Sequence, residues 1–155
     1  MASENNITIQ ISKEDLKAVL EYSKGIEDIM KKYIIALSPD ERQRKAKMGE
    51  KSVNFVEKVA EYAASNPELV PSYMKVEDLI IDFKAVSDLT SIFRPTEQLA
   101  SGLNDTMLLC GSEAYTNALI FYNYVKQATK DNVPGAKIIY EDLKKRFEKL
   151  SKKKA

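Results

Sequence analysis

Apolar residues recur every three to four positions along most of this chain, the period of a helix with one buried face. Ser12-Lys13-Glu14-Asp15 resembles a capping box and opens a first helix. Its apolar positions Leu16, Val19, Ile26, Met30, Tyr33 and Leu37 share a face. Ser38-Pro39-Asp40-Glu41 restarts the helix, because serine suits the N-cap and proline the first helical position. That second helix is expected to reach about Ser65, with Ala46, Gly49, Val53, Val56, Ala60 and Ala63 as a seam of small and β-branched residues. The prolines of Asn66-Pro67-Glu68-Leu69-Val70-Pro71 end it in a loop.

A third helix begins near Val76 and carries Leu79, Phe83, Val86, Leu89 and Ile92 inward. Its phase persists through Thr96, Leu99 and Leu103, so Pro95 predicts a kink near Ser91 rather than a break. Gly102-Leu103-Asn104-Asp105 reads as a helix stop followed by a cap, which predicts a tight helical hairpin. The fourth helix then runs from about Asp105 to Lys130. It has one stripe through Met107, Gly111, Ala114, Ala118, Phe121, Val125 and Ala128, and a second through Leu108, Tyr115, Leu119 and Tyr122. After the loop Asp131–Gly135, a fifth amphipathic helix turns Ala136, Tyr140, Leu143, Phe147 and Leu150 inward.

Strand-like alternation occurs only in Ile7-Thr8-Ile9-Gln10-Ile11, so residues 1–11 are expected to form a short strand or arm and residues 151–155 a frayed basic tail. The fold class these patterns predict is all-α: an up-down bundle of four to five helices forming a single domain over 1–155. The stretch Leu99–Val125 stands out within it. It holds only Asp105 and Glu113 as charges, whereas the 30% charged composition would give about eight, so most of its faces should be buried.

Composition narrows the function classes. A chain of 155 residues with 44% apolar content can bury a core, and its formal net charge of +1 gives no global field to steer it to nucleic acid or anionic lipid. The single cysteine, Cys110, allows no internal disulfide, and MASENN lacks the basic-then-apolar pattern of a signal peptide. A cytoplasmic location is the expectation. No apolar run approaches the roughly 20 residues of a membrane span.

The chain has no histidine, which removes Ser-His-Asp and Cys-His catalysis and most zinc sites. Gly49-Glu50-Lys51-Ser52 lacks the earlier glycine of a phosphate loop, since Arg44 stands there. Neither a catalytic set, a metal site nor a cofactor is predicted. Two weaker constellations remain. Glu113 and Asn117, with Tyr115 and Tyr122 nearby, could converge in a pocket for a small apolar or aromatic ligand. Arg42, Arg44, Lys45 and Lys47, followed by Lys51, make a basic patch for anions. Without interleaved aromatics that patch argues against nucleic acid.

Two segments, Leu37–Pro71 and Leu99–Phe147, resemble a family of small uncharacterised bacterial helical-bundle proteins. The likeness rests on LSPDERQRKAKMGEKSVNFVEKVAEYAASNPELVP, LASGLNDT, GSEAYTNALIFYNYVK and VPGAKIIYEDLKKRF, about half of the chain. It implies a bacterial source and a helical bundle, and it assigns no functional residue. The absence of catalytic sets and the small-residue seams together lead to the expectation of a non-catalytic interaction or assembly module. Its partner would be a second copy of itself or another protein.

Overall fold

A computed structural model describes residues 8–152. The protein is all-α, 79% helical, with no strand among the described residues. Its helices are α1 (Lys13–Met30), α2 (Pro39–Arg44), α3 (Glu50–Ser65), α4 (Val76–Lys130) and α5 (Ala136–Lys152), with a 3₁₀ turn at Pro67–Leu69. The described residues divide into two units, one of residues 10–98 and one of residues 99–152 together with residues 8 and 9.

In the first unit the helix starts follow local chemistry. The Ser12 hydroxyl accepts from the Asp15 amide at 2.9 Å, and Glu14 and Asp15 lie at the positive end of the helix dipole. At α2 the capping box is complete: the Glu41 amide donates to Ser38 Oγ at 3.3 Å and the Ser38 amide donates to Glu41 Oε2 at 2.9 Å. The Ser38 amide, and the Ser38 hydroxyl donating to the same oxygen at 2.8 Å, hold the Glu41 carboxyl below its ordinary value.

The helix ends depart from expectation. α1 stops at Met30 rather than Leu37, closing with a turn in which the Tyr33 and Ile34 amides both donate to the Met30 carbonyl. The β-branched Ile34 and Ile35 that follow are poor helix formers, and Pro39 lies just ahead. The expected second helix is two helices. Lys45 is extended at ψ 135°, and α3 restarts from Gly49 as N-cap. Arg42, Arg44, Lys45, Lys47 and Lys51 repel one another along this stretch, and glycine adds about 1 kcal/mol against continuing a helix. Gly49-Glu50-Lys51-Ser52 therefore opens a helix instead of lying within one.

The largest departure is α4, in which the expected third and fourth helices are one helix of 55 residues. Gly102 keeps helical geometry, and the Thr106 hydroxyl donates to its carbonyl at 2.7 Å, so no hairpin forms at Gly102–Asp105. Glycine inside a helix costs only about 1 kcal/mol, and the apolar phase on either side is continuous. Pro95 also lies inside the helix. It cannot donate to the Ser91 carbonyl. Around it the Thr90, Ser91 and Thr96 hydroxyls each donate to a carbonyl one turn back, at 2.7, 2.7 and 2.8 Å. The helix runs on through the proline with these hydroxyl bonds around it.

The second unit closes on itself. α4 ends in a Schellman motif: the Val133 amide donates to the Ala128 carbonyl at 2.9 Å and the Asn132 amide to that of Thr129 at 3.3 Å. Asn132 takes the left-handed conformation at φ 56° and Gly135 at φ 81°, which turns the chain back along α4. Val125, Ala128 and Ala136 are buried, with Tyr140 packed against them.

Residues 8–11 are exposed and adopt no regular structure, so the expected strand does not form over them. Ile7 and the rest of the arm lie outside the described residues. At the other end, Ser151 and Lys152 belong to α5 instead of a frayed tail, while residues 153–155 lie outside the described residues.

Candidate functional site

The four residues expected to converge on a ligand all lie on α4. At about 100° per residue, Glu113 and Asn117 are about 40° apart and Tyr115 and Tyr122 about 20° apart, but the two pairs face nearly opposite directions. One straight helix cannot bring them together. Glu113 is half-buried, Asn117 and Tyr115 are exposed, and Tyr122 alone joins an aromatic cluster.

That cluster is the best-formed feature of the second unit. The Tyr122 ring lies 5.6 Å from that of Tyr140 and stacks on Phe147 at 5.4 Å and 15°. Burial and the neighbouring Tyr140 hydroxyl raise the Tyr122 phenol above the usual tyrosine range. Offset aromatic contacts of this kind clamp α5 onto α4.

The basic residues do not converge either. Arg42 and Arg44 close α2 about 200° apart around its axis, and Lys45 and Lys47 follow in the non-helical link to α3. Arg42 instead reaches back, its Nη2 donating to the Leu37 carbonyl at 3.4 Å. All four are exposed. Among the described residues no group of three or more Cys, Asp or Glu side chains could hold a metal ion. No described helix is long and apolar enough to cross a membrane.

What the sequence did not single out is the groove between α1 and the first part of α4. It is an open trough of about 500 Å³ bordered by Ile26, Met30, Val86, Leu89, Ile92 and Phe93. All of these except Phe93 appear in the helical stripes, but periodicity shows which face is apolar and not which neighbour covers it. Here the cover is incomplete: Ile26, Leu89 and Phe93 are 56%, 44% and 59% exposed. Nearby, Arg94 pairs with Glu50 at 3.3 Å across α4 and α3, a solvent-exposed bridge worth about 0–1 kcal/mol.

Cys110 is half-buried on α4, with no histidine in the chain to activate it. Comparisons with protein families, with curated proteins and with solved structures find no match for this chain.

Proposed function

We propose that this protein is a non-catalytic helical assembly module of a bacterial cytoplasm, whose helices complete an up-down bundle only when another chain supplies the missing neighbours. One observation carries the reading. Outside the α4–α5 hairpin no described residue is buried, although Leu20, Ile26, Phe55, Tyr62, Phe93 and Met107 are large, apolar and exposed. Exposed apolar patches of that extent mark interaction surfaces. Helical stability in water comes mainly from packing an amphipathic face, so α1 and α3 need a partner to persist. The cytoplasmic assignment rests on the single cysteine, and the bacterial one on the sequence resemblance.

Sedimentation equilibrium over a wide concentration range, combined with capture from a bacterial lysate, tests the reading. It predicts a complex with itself or with another chain, formed together with a gain in helix content. A monomer that unfolds cooperatively and captures nothing would contradict it. A second reading is a small apolar ligand held in the α1–α4 groove, supported by a volume within the roughly 300–1,000 Å³ of ligand sites. Ligand-induced protection of Ile26 and Phe93 would favour it.

A further inference from the structure

Charge is unevenly distributed along the chain, and α5 holds the extreme. Residues 144–154 carry seven basic side chains and one acid, Glu148, whereas the residues before them carry 17 basic and 22 acidic side chains. The formal net charge of +1 therefore conceals a local positive excess at the end of the second unit. From residue 144 to 152 it lies along about 12 Å of helix, close to one Debye length, so these cations act together on anything at their surface. Complementing the helix dipole accounts for cations in the last turn only, and Lys144, Lys145 and Arg146 lie before it.

Packing on α4 turns the cations outward. Phe147 stacks on Tyr122, and Tyr140 and Leu143 are half-buried on the same face of α5. At about 100° per residue, Lys145 and Lys149 stand about 160° from Phe147, while Lys144 lies about 60° to one side and Arg146 about 100° to the other. The four span about 200° of the outer surface, and all are exposed. Two of them pair within α5, Lys144 with Glu148 at 3.9 Å and Arg146 with Asp142 at 3.1 Å. Exposed bridges of this kind are weak and do not hold the cations against a phosphate. Lys145 and Lys149 have no ion pair among the described residues.

Independently of what covers the apolar faces, we infer that the outer face of α5 binds duplex DNA through its phosphate backbone. Two features point to this partner over an anionic membrane. An amphipathic helix enters a bilayer surface with its apolar face, and here that face is engaged by α4. A flat surface also meets only the front of a helix, whereas the major groove, about 12 Å wide, admits a helix between two lines of phosphates. Cations on the front and on both flanks match the groove.

Fluorescence anisotropy of a short labelled DNA duplex, titrated with the full chain, tests the inference. Four to five phosphate contacts predict a slope of log K against log salt of about −4, and so roughly a 250-fold loss of affinity between about 50 and 200 mM salt. Lys145→Gln combined with Lys149→Gln should bring the slope to about −2. Helix content by circular dichroism should stay unchanged, since both side chains face solvent. Lys45→Gln combined with Lys47→Gln, in the link after α2, should leave the slope as it is. An affinity indifferent to salt, a slope that the α5 pair does not change, or an equal drop from the Lys45 and Lys47 pair would overturn the inference. So would an absence of binding at about 50 mM salt. Tighter capture by phosphatidylserine vesicles than by the duplex would overturn it too, giving the surface to a membrane instead.

Discussion

The α4–α5 hairpin and the unit of residues 10–98 use the same kind of helix and reach opposite results. The hairpin has a turn whose every step is specified: a Schellman closure, Asn132 in the left-handed region and Gly135 behind it. Two helices are thereby brought face to face over a short loop, and Val125, Ala128 and Ala136 become buried. In the other unit α1 and α2 are capped by Ser12 and Ser38 and α3 starts from Gly49 without a side-chain cap, yet none of their residues is buried. Capping fixes where a helix begins, while burial depends on a neighbour, and contributions from caps are about 1 kcal/mol against several for a packed face. The contrast separates a hairpin that buries apolar residues of its own from a unit in which none is buried.

Substitution inside each region should expose this asymmetry. Val125→Asp places a charge in the buried cluster and should cost about 3 kcal/mol, releasing α5 in thermal unfolding followed by circular dichroism. Phe55→Asp, on a residue 70% exposed, should change the isolated chain by no more than about 0.5 kcal/mol and be felt only in assembly. If the two cost the same in the isolated chain, the contrast fails.

At the hairpin turn, Asn132→Val forces a β-branched residue into φ 56° and should destabilise by about 1–2 kcal/mol, while Asn132→Gly should be neutral or stabilising. Ser38→Ala removes the α2 capping box at a cost of about 1 kcal/mol, seen as loss of helical signal for residues 39–44 and nowhere else.

The smallest effects are in titration. The Glu41 carboxyl is depressed, so its contribution is present above the ordinary glutamate value and disappears as the pH falls through the lowered one. Helical chemical shifts of α2 should fade in acid before those of α5. Tyr122 is raised, so its contribution is complete below the ordinary tyrosine value and is lost as the pH rises through the folded one. In an ultraviolet titration Tyr122 should ionise above the ordinary tyrosine range. Ionisation within that range would place Tyr122 outside the aromatic cluster.

Much of the local structure was legible in the residues. Ser12 and Ser38 announce their caps, and Asp131–Gly135 announces its turn, because in each case the deciding contacts lie within a few positions. Gly102-Leu103-Asn104-Asp105 carries the same signals and forms no turn. A glycine penalty of about 1 kcal/mol is small beside an apolar phase that continues on both sides. The link after Arg44 was missed for the reverse reason, since its repulsion is shared among five cations and no single residue marks it. Glu113 and Asn117 share no pocket with Tyr115 and Tyr122, because positions 113 and 117 oppose 115 and 122 on any straight helix. Whether an apolar stripe has a neighbour, as at Phe93 or Met107, is a property of assembly that no periodicity encodes.

Residue-resolved amide hydrogen exchange, recorded on the full chain at low and high concentration, bears most directly on the division between the two regions. At dilution the hairpin residues 121–143 should be protected while α1 and α3 exchange rapidly, and α1 and α3 should gain protection as the chain associates or its partner is added. Uniform, concentration-independent protection of α1, α3 and the hairpin in a monomer would contradict this account.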